Sequence, residues 1–182
     1  MTLVFCAFLG LFYVGVLWFF AQIAGPNKGN AELVTLNQQI IGAANVGQSF
    51  SMPYYFWGRP SYAGQGYDAA NSSGSNKGPT NEYYLKEMEG RIQSFLTQHP
   101  YLTRDQIPAE MVTASASGLD PDISPECARI QVKRVAQARG WTELDVWRIV
   151  EQHIEMPLFG WFGTPKVNVL KLNAALDQVS EK

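Results

Sequence analysis

The chain has 182 residues, of which 46% are hydrophobic and 16% are charged, and its formal net charge is -2 at pH 7. A slightly acidic chain lacks the positive field that nucleic-acid binding requires, so nucleic acid is excluded as a partner. The two cysteines, Cys6 and Cys127, are too few for a disulfide framework. The length allows about one soluble domain with a core of its own.

Charged side chains are distributed very unevenly along the chain. Residues 1–27 contain none of them, so all 14 basic and all 16 acidic side chains lie further on. At about 1.5 Å per residue, a helix over residues 3–24 is long enough to cross a hydrocarbon core of about 30 Å. This run is too long for a secretory signal peptide, and no basic residue precedes it. We therefore predict a transmembrane anchor and junction over residues 1–27 and a soluble domain over residues 28–182.

Small residues recur at intervals of four near both ends of the predicted span. They are Thr2, Cys6, Gly10, Ala21 and Gly25. Such spacing lets two membrane helices approach closely, so it predicts a helix-packing stripe, although it also fits an ordinary lipid-facing anchor. The charges give no orientation, because no Lys or Arg precedes the span and only Lys28 closely follows it.

The first part of the soluble domain predicts short β elements and one long loop. Residues 33–41 have the pattern of a hairpin that turns at Asn37–Gln38, and residues 48–50 and 54–57 predict short β-like pieces. Residues 61–80 consist mostly of Gly, Ser, Asn and other small residues, a composition that suits a linker. However, a loop of this length inside a domain is more often functional or packed.

The second part of the domain predicts helices with recognisable ends. Capping residues and Pro at first helical positions place them over residues 81–98, 108–112, 124–140, 142–154 and 168–179. Helical spacing of apolar residues predicts which faces are buried. The predicted inward residues include Leu85, Ile92 and Phe95 in the helix over residues 81–98, and Val132, Val135 and Ala136 in the helix over residues 124–140. They also include Leu144, Trp147 and Val150 in the helix over residues 142–154, and Leu172, Leu176 and Val179 in the last helix. Since the strands and helices do not alternate, the order predicts an α+β fold.

Three polar segments match known site motifs only in part. Residues 74–80 resemble a phosphate cradle, but Lys77 precedes the second glycine, so a structural loop and an anion or partner contact both remain open. Ser115 and Ser117 resemble a nucleophile segment without the G-x-S-x-G pattern, and a tight turn is the alternative. Asp120 lies close to a second aspartate, yet no spaced ligands complete a metal shell. The sequence predicts no catalytic residue and no metal site.

The segment around Trp57 and Arg59 places an aromatic ring beside a cation between Gly and Pro. Such a pair either stacks internally as a cation–π contact or anchors a partner protein, and the sequence leaves both possibilities open.

Several stretches taken together resemble the C subunit family of the bacterial Kdp potassium-transporting P-type ATPase, and the resemblance covers essentially the whole chain. In the printed sequence these stretches read IG, VGQSF, YFWGRPS, GSN, VTASASGLDP, IQVKRVA and VNVLKLNAALD. We take candidate partner-contact residues from these stretches and the loop beside them. They are Trp57, Arg59, Ser61, Asn76, Lys77, Ser115, Ser117, Asp120, Gln131 and Arg134.

The resemblance implies an accessory, non-catalytic subunit of an ATP-driven K⁺ uptake complex. It implies a channel-like K⁺-selective subunit and a P-type ATP-hydrolysing subunit as partners, with a possible small membrane subunit and membrane lipid. It also implies a single span in the bacterial inner membrane, with the N-terminus cytoplasmic and the soluble domain periplasmic. K⁺ would be the transported ion.

The same family is described as a catalytic chaperone that raises the ATP affinity of the P-type subunit. ATP is therefore implied as a nucleotide, although no residue of this chain is assigned to it. Two alternatives stay open at this point: a membrane-anchored periplasmic binding or scaffold module, and a membrane-tethered serine hydrolase.

Overall fold

The computed structural model describes residues 1–180, and the chain divides into two compact units, Met1–Leu33 and Val34–Lys182. The first unit is built on a single apolar helix, Thr2–Ala24, whose 23 residues and mean hydropathy of 2.4 are sufficient to cross a membrane. The second unit contains short antiparallel strands and several helices. The predicted α+β class with one N-terminal apolar helix is confirmed.

The apolar helix contains an irregularity that its composition did not predict. It consists of α1 (Thr2–Ala7), a π-helical segment (Phe8–Tyr13) and α2 (Val14–Ala24). Gly10 lies inside the π-helical segment, where each turn takes more residues than in an α-helix. The helix ends at Gly25, whose backbone is extended, and the chain continues through a 3₁₀ turn over Pro26–Gly29.

Two small antiparallel sheets form the β part of the fold. The predicted hairpin is confirmed as β1 (Leu33–Leu36) and β2 (Gln39–Ala43). Its two turn residues both have positive φ, 50° at Asn37 and 66° at Gln38. That geometry matches the turn type whose twist suits a two-residue hairpin.

The second sheet has three strands. In chain order they are β3 (Asp122–Ile123), β4 (Ile154–Glu155) and β5 (Lys166–Asn168). The last of these, β5, lies in the middle and pairs antiparallel with both others, so Val167 is opposite Ile123 on one side and Ile154 on the other. Val167 is fully buried, which places this sheet at the edge of the core.

The α-helices of the second unit begin where their caps were predicted, except for the one that begins at Val132. They are α3 (Glu82–Gln98), α4 (Pro125–Arg129), α5 (Val132–Arg139), α6 (Glu143–Gln152) and α7 (Val169–Ser180), with 3₁₀ turns over Arg104–Gln106 and Ala109–Met111. The side chains of Asn81, Ser124 and Thr142 each accept a hydrogen bond from a backbone N–H of the first turn. Gly140 ends α5 with a φ of 68°, as a C-terminal glycine was expected to do.

The core lies between the central helices and the three-stranded sheet. Its largest fully buried members include Phe56, Val135, Val146, Val150, Val167, Leu172 and Leu176. Five of them come from α5, α6 or α7, so the helices predicted from apolar spacing do supply most of the core.

Several predictions about faces and boundaries were wrong. On α6 the buried residues are Val146 and Val150, whereas Leu144 and Trp147 are 57% and 41% exposed. Leu85 and Val179, predicted to face inward, are 44% and 49% exposed. The helix predicted over residues 124–140 breaks between α4 and α5, and residues 48–50 and 54–57 form no strand.

Candidate functional site

The guanidinium of Arg134 lies at the centre of the buried polar part of the domain. Its Nε donates to Nε2 of His99 over 2.9 Å, one Nη donates to the backbone carbonyl groups of Pro53 and Tyr55, and the other donates to Gln131. The guanidinium carbon is 3.9 Å from the centroid of the Trp57 ring. Burial lowers the pKa of Arg134 to about 10, so the side chain keeps its charge at neutral pH.

His99 completes this buried group as a neutral ring. Its Nδ1 is 2.8 Å from the carbonyl oxygen of Phe95, and its ring stacks on the Phe95 ring with centroids 4.0 Å apart. Because Nε2 accepts from Arg134, Nδ1 carries the proton and donates. Burial, with the nearby charge of Arg134, lowers the pKa of His99 to about 4.

Two side-chain amides hold the backbone of Phe56 and Trp57. The amide of Asn173 accepts from the Phe56 N–H over 2.8 Å and donates to its carbonyl oxygen over 3.0 Å. The amide of Gln131 does the same for Trp57, over 2.9 Å and 3.1 Å. The Gln131 amide, at the N-cap of α5, and the Asn173 amide, in α7, take the place of the neighbouring strand that the predicted β-like piece would need, so this piece is not a strand.

Arg59 and Ser61 connect the next segment to the loop before β3. Arg59 forms a partly buried ion pair of 3.1 Å with Asp120. The hydroxyl of Ser61 donates to the carbonyl oxygen of Gly118 over 2.6 Å and accepts from the backbone N–H groups of Ala63 and Tyr67. Ser61 therefore fixes both the start of the long loop and its contact with Gly118.

The predicted loop over residues 61–80 is fastened along the segment that contains the two candidate serines. The carbonyl oxygen of Ser117 accepts from the N–H of Ser73 and from the hydroxyl of Ser72, and the Ser115 N–H donates to the carbonyl oxygen of Pro60. Ser115 is buried, while the hydroxyl of Ser117 accepts from the Leu119 N–H. This is the geometry of a packed turn, and it answers the question that composition left open.

The histidines lend no support to a serine hydrolase. Both ring nitrogens of His99 are engaged by Phe95 and Arg134, and Nδ1 of His153 is 2.7 Å from the carbonyl oxygen of Ile149. None of these hydrogen bonds involves Ser115 or Ser117. A general base must lie within hydrogen-bond reach of its nucleophile.

The partial phosphate cradle is likewise occupied by internal contacts. Lys77 donates to a carboxylate oxygen of Glu87 over 3.1 Å, which raises the pKa of Lys77. Arg91 and the hydroxyl of Tyr62 donate to the same carboxylate. Asn76, the residue before Lys77, has a positive φ of 50°. Among residues 1–180, no cluster of three or more His, Cys, Asp or Glu side chains is placed to hold a metal ion.

The candidate residues thus separate by depth. Gln131, Arg134 and Ser115 are buried, whereas Trp57, Arg59 and Ser61 are half-buried at a surface cleft of about 390 Å³. The cleft is lined by residues that include Phe50, Trp57, Arg59, Pro60, Ser61 and Tyr67. The sequence analysis did not identify His99 and Asn173 as members of this group. A usable signal was a polar residue at an inward position, since Asn173 lies four residues after Val169 and three before Leu176.

Comparison with known proteins gives a family for the whole chain. The family described as KdpC, K⁺-transporting ATPase, c chain, matches residues 1–178. A potassium-transporting ATPase KdpC subunit of Bacteroides thetaiotaomicron is 67% identical over 177 residues, covering 97% of this chain and 94% of the relative. Proteins of the same name are 65% identical over 181 residues in Bacteroides fragilis, covering 100% and 95%, and 47% identical over 179 residues in Flavobacterium psychrophilum, covering 98% and 95%.

The N-terminal apolar helix fits a single-pass membrane protein, and the relatives are subunits of a transport complex. More specifically, the chain belongs to the KdpC family, the non-catalytic C subunits of K⁺-transporting ATPases. The family resemblance predicted from the sequence is confirmed.

Proposed function

We propose that the chain supports the assembly and conformational coupling of an ATP-driven K⁺ uptake pump in the bacterial inner membrane. The observation that carries this proposal is the whole-length similarity to proteins named as KdpC subunits. K⁺ is the ion that the complex transports. The chain contributes structure to the pump, and the hydrolysis of ATP takes place on another subunit.

The proposed topology has a cytoplasmic N-terminus, one span and a periplasmic domain. Residues 1–27 form the anchor and junction, and residues 28–182 form the periplasmic part. The change from an uncharged to a charged chain at Lys28 supports this division, as does the compact unit that begins at Val34.

The proposed partners are the channel-like K⁺-selective subunit and the P-type ATP-hydrolysing subunit, together with a possible small membrane subunit. The cleft around Trp57, Arg59 and Ser61 is the candidate contact surface, because these predicted residues retain access to solvent. Gln131 and Arg134 lie beneath it, and their role is to hold Trp57 in position.

Any effect on ATP affinity is proposed to be indirect. A domain on the periplasmic side cannot touch ATP bound on the cytoplasmic side, so the two would be linked by a coupling free energy through subunit contacts. The domain offers several internally bonded polar groups rather than an open phosphate cradle, which supports this indirect role.

The partners are tested by purifying a tagged full-length chain in a mild detergent from cells that express its neighbours. We expect the channel-like and P-type subunits to copurify in fixed proportion. Recovery of the chain alone, in membranes where both subunits are present, would contradict the proposal and favour an envelope-binding module.

The contact surface is tested with two variants that break the same ion pair. Arg59→Ala removes the half-buried cation, whereas Asp120→Asn removes the charge of its partner and leaves Arg59 available. If Arg59 touches a partner, Arg59→Ala reduces copurification more than Asp120→Asn does. Equal losses would mean that the ion pair only supports the fold.

The small-residue stripe of the span is tested in the same assay. We propose that it packs against a helix of the channel-like subunit, so Gly10→Ile should reduce copurification by inserting a branched side chain. Gly15→Ile is the matched control, because Gly15 lies in α2 and outside the stripe. Equal recovery of both variants would leave the span as a simple lipid-facing anchor.

A further inference from the structure

Residues 156–162 form an exposed apolar turn that contains none of the predicted site residues. We call this segment the aromatic loop. Its exposed side chains are Met156 at 71%, Leu158 at 64%, Phe159 at 81%, Trp161 at 76% and Phe162 at 59%. The sequence MPLFGWFGTP over residues 156–165 contains no charge and lies between Glu155 and Lys166. Contiguous exposed apolar surface of this kind normally marks an interaction site.

The aromatic loop has a defined shape. Leu158 and Phe162 form an antiparallel bridge, and the Phe162 N–H donates to the carbonyl oxygen of Leu158 over 3.0 Å. Phe159 and Gly160 turn the chain with φ values of 55° and 82°. The rings of Trp161 and Phe162 are 4.7 Å apart. The loop therefore presents its rings from a small closed turn.

The base of the aromatic loop is fixed by the three-stranded sheet. Glu155 ends β4 and Lys166 begins β5, and the two strands pair directly at these residues. The amine of Lys166 lies 2.7 Å from Asp122 and 3.7 Å from Glu155. The charges that flank the loop are thus paired with each other at its base, and its outer part is uncharged.

The length of the link to the span limits how far the domain can move from the membrane. Ala24 ends the span and Leu33 begins β1, so even a fully extended link reaches only about 30 Å. The link is shorter than that because it is folded by two hydrogen bonds. The Gln22 side chain donates to the carbonyl oxygen of Lys28, and the Asn27 side chain donates to the carbonyl oxygen of Ala31. The link therefore keeps the first strand of the soluble domain within about 30 Å of the end of the span.

The composition and shape of the aromatic loop favour lipid over protein as its occupant. The loop is an uncharged turn that exposes three aromatic and two aliphatic side chains. A projecting turn enters the boundary between headgroups and acyl chains without a matching pocket. Tryptophan is enriched at that boundary, because its ring is apolar and its N–H remains hydrated.

We propose that the aromatic loop inserts into the interfacial layer of the phospholipid bilayer that the same chain spans. The contact would hold the soluble domain in a fixed orientation above the membrane. This inference rests on the membrane anchoring in the proposed function and on nothing about the partner subunits.

The test uses the full chain reconstituted in vesicles of phosphatidylethanolamine and phosphatidylglycerol. Cys6→Ser removes the exposed thiol, while Cys127 is fully buried. Phe159→Cys then carries a single environment-sensitive fluorophore. Tyr83→Cys is the matched control, because Tyr83 is 80% exposed and Phe159 is 81% exposed, and Tyr83 lies on α3.

We expect lipids with a quencher near the headgroup to quench the label at residue 159 at least threefold more than the label at residue 83. Iodide in the aqueous phase should show the reverse order. Equal access of iodide to both labels would overturn the proposal. So would a label at residue 159 that becomes shielded from iodide only when the other pump subunits are present, because a protein surface would then cover the loop. Flotation of both labelled chains with the vesicles measures the membrane anchoring of the chain independently of the position of the aromatic loop.

Discussion

The guanidinium carbon of Arg134 lies 3.9 Å from the centroid of the Trp57 ring, and the side-chain oxygen of Gln131 accepts from both the Arg134 guanidinium and the backbone N–H of Trp57. Among residues 1–180 no carboxylate pairs with this cation, which is held by carbonyl groups, a neutral imidazole and an aromatic face. The planar, forked geometry of arginine suits this combination, whereas an ammonium group is a compact point charge.

Replacement of this cation by lysine should therefore be costly. We expect Arg134→Lys to lower the free energy of unfolding by about 2–4 kcal/mol, because the buried acceptors lose their donors. Urea unfolding of the full chain in detergent, followed by tryptophan fluorescence, measures the change. Arg148→Lys is the control, since that side chain is 64% exposed and its loss should be under about 0.5 kcal/mol. Equal effects would contradict the assigned role of Arg134.

The amide of Gln131 should contribute through the backbone of Trp57. Gln131→Leu keeps a side chain of similar volume but leaves the N–H and carbonyl groups of Trp57 without their partner. We expect a loss of about 2–4 kcal/mol in the free energy of unfolding. Gln137→Leu on the exposed side of α5 is the matched control and should have little effect. A similarly small effect at both positions would show that the backbone pairing adds no stability.

Glycine substitutions at two positions should change stability in opposite directions. A Cβ on Gly118 would lie 2.6 Å from the backbone N of Ala63 and from the carbonyl oxygen of Ser73, and its φ is 70°. We expect Gly118→Ala to destabilise the chain by at least about 2 kcal/mol. Gly90 lies inside α3 with open space around it, so Gly90→Ala should stabilise by about 0.5–1 kcal/mol. Stabilisation by Gly118→Ala would contradict the close contact of the loop with residues 113–120.

The neutral state of His99 predicts a pH dependence of stability. Burial lowers the pKa of His99 from its ordinary value of 6.5 to about 4. Between these values the unfolded chain binds more protons than the folded chain, so stability falls as pH decreases from about 6.5 to about 4. The loss approaches about 3 kcal/mol at the acid end of this range.

Comparison of histidine variants separates this effect from the titration of carboxylates. Thermal unfolding between pH 7 and pH 4 measures how far the stability of each chain falls. The stability of His99→Gln should fall less than that of the unchanged chain, and the stability of His153→Gln should still show the fall that His99 causes. If His99→Gln retains the full decrease, the imidazole does not carry the pH dependence.

Local features of the fold could be predicted from the sequence, because they depend on neighbouring residues. The caps at Asn81, Ser124 and Thr142 and the glycine end of α5 are formed by short-range hydrogen bonds. The turn of the first hairpin at Asn37–Gln38 is local in the same way.

Features that depend on distant residues could not be predicted in this way. The segment with Phe56 resembles a strand, but its partner is Asn173, which is 117 residues further along the chain. The apolar residues of α6 fit more than one inward face, and packing against other elements buries Val146 and Val150 instead of Leu144. Trp147 remains at the surface beside Arg129, with the guanidinium carbon 5.4 Å from its ring centroid.

The candidate site was predicted in part. The sequence identified Trp57, Arg59, Gln131 and Arg134 as members of shared motifs, and the structure brings Trp57, Gln131 and Arg134 into one network. The apolar spacing did not reveal that Gln131 and Arg134 are buried, because they are polar residues at the N-cap and on the inward side of α5, beside Val135. Their roles in partner contact stay a prediction.

The central claim is that this chain is required for coupled pump activity without hydrolysing ATP itself. The most direct measurement is K⁺-stimulated ATP hydrolysis by the complex purified with and without this chain, over a range of ATP concentrations. We expect activity in its presence, loss of K⁺ stimulation or a raised KM for ATP in its absence, and restoration when the full chain is added back. Unchanged activity and an unchanged KM without the chain would contradict the account.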